Sequence, residues 1–345
     1  MKKKHEIAAF FCFILLIISS AEVGAKEIMD MSGRKVIVPD TITKVYCASP
    51  PATYMLYAVD PALIAGLNYP FNPKEQPYLN PAMARLPVIG GWFGQGRTPN
   101  QETLLQIRPD IMIVWKWKNS AVNEKIEQTA QQLKLPLVYI QIDRLSDYSQ
   151  AFQFMGGLLH REDRAQELSD YAAKAMKSVE SAISDIPDEK KVSVYYAEAA
   201  DGLSTECDQS VHAELIPLAG GKNIHQCKAE DDFGMVRVSI EQVMLNNPDV
   251  IIAQEKNFAD QVFGNPIWQS VRAVKNKRVH LIPKYPFNWF DRPPSFMRLL
   301  GIRWLTHLLY PDRYAFDLSK ETKAFYKLFL GIEPDDRALE EVLQR

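Results

Sequence analysis

The sequence lacks the short motifs that most often mark a catalytic centre. It holds no G-x-S-x-G elbow, no H-E-x-x-H, no Walker phosphate loop and no dinucleotide G-x-G-x-x-G. The common hydrolase, metalloprotease, NTPase and dinucleotide chemistries therefore have no footing in it. Gly91, Gly94 and Gly96 come nearest to a phosphate loop, but their spacing is wrong and no lysine follows. A charge excess is also missing: 40 basic residues face 42 acidic ones. That removes the electrostatic case for nucleic acid or an anionic membrane surface. The four cysteines form no C-x-x-C pair, and the six histidines are scattered, so no metal of the protein's own, and no intrinsic cofactor, is expected. Low-complexity linkers are absent, and so are long apolar runs beyond the N-terminus.

The N-terminus reads as an export signal. Lys2, Lys3 and Lys4 precede an apolar run from Ile7 to Ile18, and small residues lead to Val23 and Ala25. These suit the −3 and −1 positions of a cleavage before Lys26. The run is shorter than the roughly 20 residues that span a bilayer, so residues 1–25 are expected to be removed and the mature protein to be periplasmic, without stable membrane insertion. Cys12 lies within the run, and Cys47, Cys207 and Cys227 remain after cleavage. Cys207 and Cys227 are the candidate disulfide, closing a loop of about 20 residues and worth roughly 3 kcal/mol. Cys47 ends an apolar strand and reads as a buried thiol.

Short apolar segments alternate with amphipathic ones along the mature chain. Lys44–Ala48, Ile64–Leu67, Asp110–Trp115 and Pro136–Ile140 are strand-like, and Thr53–Val59, Gln101–Ile107 and Val122–Leu133 helical. The pattern returns with strands at Val192–Tyr196, Val250–Ala253 and Arg278–Ile282, and helices near His212–Leu218 and Ser239–Leu245. Such alternation predicts parallel sheets covered by helices. One unit is repeated without a gap at an offset of 139 residues: Asn100-x-Glu102-x-Leu104 with Pro109-Asp110-Ile111, then Ser239-x-Glu241-x-Val243 with Pro248-Asp249-Val250.

Residues 146–186 separate the two halves. Arg161 to Ile186 contains neither Gly nor Pro, and Leu168, Tyr171, Ala172, Ala175, Val179 and Ile183 share one helical face. A rod of about 39 Å is expected there. The organisation is thus an N-terminal α/β lobe at 26–145, a helical connector at 146–186 and a C-terminal α/β lobe at 187–310. A helical tail at 311–345 is expected to pack on the second lobe. The fold class is α/β: two Rossmann-like lobes with parallel-rich sheets, one long rigid helix joining them, and a ligand cleft between.

Five segments in order carry a family resemblance. They are Met31–Pro39, Pro99–Glu102 with Pro109-Asp110, Leu218–Asn223, Val238–Glu241 with Asn247–Asp249, and Ala273–Val279. Together they resemble the class III periplasmic binding proteins, which serve importers of iron-siderophores, haem, cobalamin and related ligands. The resemblance covers nearly the whole mature chain. It implies a monomeric binding protein that delivers a small ligand to an ABC permease dimer with its ATPase subunits. It also implies that Glu102 and Glu241 pair with arginines of the two permease subunits. Their placement in the first turn of a helix is by itself satisfied by the helix dipole.

Ligands of open α/β sheets sit beyond the carboxyl ends of the strands. The loops there are 49–51, 91–96 and 115–118 in the first lobe, and 195–198, 255–257 and 285–295 in the second. Trp92, Phe93, Trp115, Tyr195 and Trp289 are the candidate aromatic walls, against a competing role as core caps. Arg237, Arg292 and Ser295 are the candidate polar contacts, with an ion pair to Asp291 the competing role for Arg292. The expected cargo is a metal complex such as a ferric siderophore. The alternatives are a molybdate or tungstate oxyanion, or a nickel or cobalt complex, and more remotely an enzyme.

Overall fold

Two all-parallel sheets carry the architecture of the computed structural model, which describes residues 24–92, 98–116, 121–226 and 234–344. An antiparallel hairpin, β1 (Ala25–Met29) and β2 (Lys35–Pro39), opens the chain. The first unit follows as β3 (Val45–Cys47), α1 (Pro50–Val59), α2 (Gln101–Ile107), β4 (Ile111–Trp115), α3 (Ala121–Gln132) and β5 (Leu137–Ile140). Its strands pair in parallel in the order β3-β4-β5. Ile64–Leu67, expected as a strand, contributes only isolated bridges from Val45 to Ile64 and from Leu67 to Val88.

The connector is a helical hairpin and not a single rod. α4 (Tyr148–Leu159) turns at His160, which is left-handed with φ 54°, into α5 (Glu162–Ile183) of 22 residues. At 1.5 Å per residue α5 is about 33 Å long, shorter than expected. Gly156 permits the tight crossing, because a Cβ there would lie 2.4 Å from Cβ of Ala165.

The second unit comprises β6 (Ser193–Ala197), β7 (Ser204–Thr205), α6 (Leu215–Leu218), β8 (Lys222–Asn223), β9 (Val236–Arg237) and α7 (Ile240–Asn246). It continues through β10 (Val250–Ala253), α8 (Lys256–Gln261), α9 (Arg272–Lys275) and β11 (Val279–Leu281). The main sheet is parallel in the order β11-β10-β6-β8, and β7 pairs with β9 in an antiparallel ribbon. Then come α10 (Arg298–Leu309), α11 (Leu318–Leu330) and α12 (Asp336–Leu343).

Strand alternation splits each sheet between two cores. Tyr46, Met112, Val114 and Tyr139 face Ile126 and Ala130 of α3 on the outside. Cys47, Ile113, Val138 and Ile140 face inward, as do Val194, Tyr196, Val250 and Ile252 of the second sheet. Both inward faces belong to one cluster, filled by Phe152 of α4, Leu168 and Val179 of α5, Leu300 of α10 and Phe329 of α11. The two units therefore share a core.

The C-terminal tail packs on the second unit, as expected, and reaches the first unit and the connector as well. Tyr57 of α1 donates its hydroxyl hydrogen bond to the Leu330 carbonyl (3.2 Å), Arg164 of α5 donates to Leu328 O, and Tyr78 donates to Ala338 O (3.3 Å). On the other side Arg303 of α10 pairs with Glu321 at 2.6 Å. α11 buries Thr322, Phe325, Tyr326, Phe329 and Leu330, all on one amphipathic face, against the shared core.

Candidate functional site

The amino edges of the two sheets are built to one plan, which sets the register of their carboxyl edges. Lys44 and Ser193, which enter β3 and β6, accept backbone hydrogen bonds from Asp110 and Asp249 respectively (2.8 and 3.0 Å). The Asp110 carboxylate accepts in return from Thr43 and Lys44 N, and that of Asp249 from Ser193 N and Oγ. On this register Ala48-Ser49 of the first unit corresponds to Ala197-Glu198 of the second. A buried serine thus stands at one carboxyl edge and a buried glutamate at the other.

The serine side is neutral. Ser49 Oγ accepts from Trp115 N at 3.3 Å, and Asn68 Nδ2 donates to Cys47 O and Gly90 O. Trp92 follows Gly91, whose hydrogen side chain is needed because a Cβ would lie 2.8 Å from Asn68 Nδ2. Trp92 N donates to Ala48 O at 3.3 Å, and the residue is half-buried, packed against the outer core of Tyr46, Ile89 and Leu104.

The glutamate side is a charged cluster. Arg292 Nε donates to Glu198 Oε1 at 2.6 Å, Nη2 donates to Glu206, and Asp291 Oδ2 lies 3.7 Å from Nε. All three carboxylates are 0% exposed, while the Arg292 side chain keeps 24% exposure. Nη1 makes no hydrogen bond among the described residues, and the guanidinium thus turns one edge outward. His212 Nδ1 stands 2.6 Å from Asp291 Oδ2. Burial alone would lower the His212 pKa, but the Asp291 charge outweighs it and raises it. Burial likewise lifts Glu198 to about 7, against the pull of Arg292 and with help from Glu206 and Asp291. Behind them Arg298 pairs with Glu214 at 2.6 Å, and Glu214 accepts from Leu145 N of the first unit (3.0 Å). The cluster sits at the junction of the units.

Of the residues expected at this edge, Arg292 stands beyond β6 in ion pairs with Glu198, Glu206 and Asp291, and Trp92 lies beyond β3 against the outer core. Four other candidates have core roles instead. Tyr195 points to the outer face, where its hydroxyl donates to Gly202 O and its ring packs 6.2 Å from Trp268. Trp115 is 4% exposed, on the shared inner face. Trp289 is fully buried, with its carbonyl 1.8 Å from where a Cβ on Gly301 would lie. Ser295 is buried and its Oγ accepts from Met297 N. Arg237 is exposed and paired with Asp201 at 2.7 Å. Phe93 lies outside the described residues. Cys47 is a fully buried free thiol whose pKa burial pushes up, and Cys207 is disulfide-bonded. The expected partner, Cys227, lies outside the described residues.

Glu102 and Glu241 are exposed in the first turns of α2 and α7, whose N-caps are Asn100 and Ser239. Three residues on, Leu105 and Met244 are also exposed, at 59% and 41%. Both helices end in a left-handed residue, Arg108 and Asn247. The acidic group and its apolar neighbour are therefore presented twice in the same geometry. No group of three or more His, Cys, Asp or Glu able to hold a metal ion occurs among the described residues, and no helix among them is long and apolar enough to cross a membrane.

Two parallel α/β units, a helical connector and a core shared between them define a class III periplasmic binding protein of ABC importers. The chain belongs to the periplasmic binding protein family, which it matches over residues 91–286. An ABC transporter solute-binding protein of Sulfurospirillum deleyianum superposes with a TM-score of 0.86 at 36% identity, covering 92% of this chain and 99% of that one. The molybdate-binding protein MolA of Haemophilus influenzae is 24% identical over 354 residues, 94% of this chain and 97% of MolA. The haem-uptake protein IsdE of Staphylococcus aureus is 22% identical over 281 residues, 79% of this chain and 87% of IsdE. The family places the protein outside the cytoplasm, and its relatives are transport-associated binding proteins.

Proposed function

We propose that the protein captures a metal complex, a ferric siderophore or related chelate, between its lobes and hands it to an ABC permease through Glu102 and Glu241. The observation that carries this reading is the state of Arg292. Its guanidinium is the charged donor at the carboxyl edge, yet Glu198 and Glu206 engage it from behind. A guanidinium so matched offers a directed hydrogen bond without a surplus of positive charge. That suits a ligand oxygen on a neutral or cationic chelate, with Trp92 supplying apolar contact. The metal belongs to the cargo and not to the protein.

A second reading, a bare molybdate or tungstate oxyanion, draws support from the likeness to MolA. Calorimetric titration of the mature protein separates the two. The probes are a ferric trihydroxamate, a ferric tris-catecholate, haem, cobalamin and molybdate. Saturable one-to-one binding of one of the complexes, with the ligand recovered intact, is expected. Binding of molybdate alone would replace the first reading by the second.

A further inference from the structure

We propose that Glu198 and Glu206 set the charge class of the ligand: they cancel Arg292, so the site accepts neutral or cationic chelates and refuses oxyanions. This rests on the reading that Arg292 faces the ligand, and it names the residues that tune Arg292.

The charges around Arg292 come from every element packed against it. Glu198 follows β6, Glu206 follows β7, Asp291 precedes Arg292 on the long loop, and His212 lies in the turn before α6. Arg298 of α10 is already matched by Glu214. Tyr148 of α4 and Tyr196 of β6 stay neutral, since burial raises both. Among the described residues, three carboxylates thus face two cations, Arg292 and the histidine. Fully ionised, the cluster is negative and would repel a dianion however well Nη1 is aimed.

One buried oxygen shows where the imbalance is relieved. Glu198 Oε2 has no hydrogen-bond partner. A buried carboxylate oxygen in that condition is costly as an anion and is the natural seat for a proton. The raised pKa of Glu198, about 7, agrees. Above that pH the cluster carries its extra negative charge, and below it the charge is neutralised. The first unit has Ser49 at the corresponding place, so the selectivity resides in one wall alone.

The test is calorimetry with molybdate as a tetrahedral dianion, on the full mature protein at about pH 8. Wild type should show no saturable binding. Glu198→Gln/Glu206→Gln should bind at least about tenfold more tightly, as expected for removing charge within a few ångströms, and adding Arg292→Gln should abolish the gain. A double variant that gains nothing, or wild type that binds molybdate as tightly as the variant, overturns the proposal. Should the double variant fail to fold, the wild-type pH series decides. Molybdate affinity rising about tenfold or more from pH 8 to 5.5 supports the proposal, and a flat profile overturns it. The chelate titration is separate. Molybdate gained by the variant with no chelate bound by wild type sinks the chelate reading and leaves only the exclusion of oxyanions standing, and the converse sinks this proposal alone.

Discussion

Tyr46 and Tyr195 make the same hydrogen bond in different halves of the molecule. Each hydroxyl is buried in the outer core of its sheet and donates at 2.8 Å to a glycine carbonyl, Gly90 or Gly202. Both glycines hold positive φ, 98° and 72°, where a side chain would be strained. The two tyrosines lie 149 residues apart, the same offset as Lys44 and Ser193. The units therefore share their outer packing as well as their strand order. Their difference is concentrated at the inner edge, where Ser49 answers to Glu198.

The repeated exposed glutamates lead to a docking prediction. Glu102→Lys/Glu241→Lys should stop uptake through the cognate importer while leaving ligand affinity unchanged. Stability should fall only slightly, because an exposed acidic group at a helix N-terminus interacts weakly with the helix dipole. Charge reversal should be worse than alanine, because like charges would meet across the contact. Uptake assays with melting curves check both, and uptake equal to wild type would remove Glu102 and Glu241 from the interface.

A pH dependence of stability follows from Glu198 and His212. Both have folded pKa values raised above their ordinary ones. Each therefore contributes stability that is complete below its unfolded pKa and is lost as pH rises through its folded value. Melting temperature should fall between about pH 5 and 8, and Glu198→Gln should flatten the part of that slope centred near 7. An unchanged slope in the variant would show that Glu198 holds no extra proton.

Trp289 should behave as a core residue. Trp289→Ala should cost about 3–5 kcal/mol, as for other buried aromatic truncations. Gly301→Ala should also destabilise, since its Cβ would strike the Trp289 carbonyl. Denaturant unfolding measures both. A stable Trp289→Ala protein with weakened ligand binding would return Trp289 to the ligand site.

Thiol titration of the unfolded, unreduced mature protein should find one free thiol per chain, from Cys47. Three would exclude the pairing of Cys207 with Cys227.

The shared core restricts motion. Phe287, from the loop after β11, stacks on Tyr54 of α1 at 3.9 Å between ring centroids, and one apolar cluster spans both sheets. Sliding the units apart would expose that cluster, so closure on ligand should be small. Scattering curves with and without ligand should superimpose near a radius of gyration of about 20 Å, and a drop of several ångströms would contradict a shared core.

The repeat, the parallel sheets and the exposure of Glu102 and Glu241 were legible because each rests on local periodicity or helix position. Within the loop 285–295, the burial of Trp289 and Ser295 was not legible, for a physical reason. Pro and aromatic residues after a strand look alike whether they line a cleft or plug a seam, and only the packing of α10 and α11 distinguishes the two. α10 went unseen because nearly all of it is buried, leaving little amphipathic contrast. Glu206 carried no signal at all. It meets Arg292 across 86 residues of chain, a distance at which no local pattern reveals that a charge is buried and paired.

Native mass spectrometry of the protein purified from its own host compartment, with elemental analysis of the same sample, tests the central claim most directly. The account predicts one bound organic complex per chain carrying stoichiometric iron or a related metal, released intact on unfolding. Molybdenum or tungsten bound without an organic mass would contradict it.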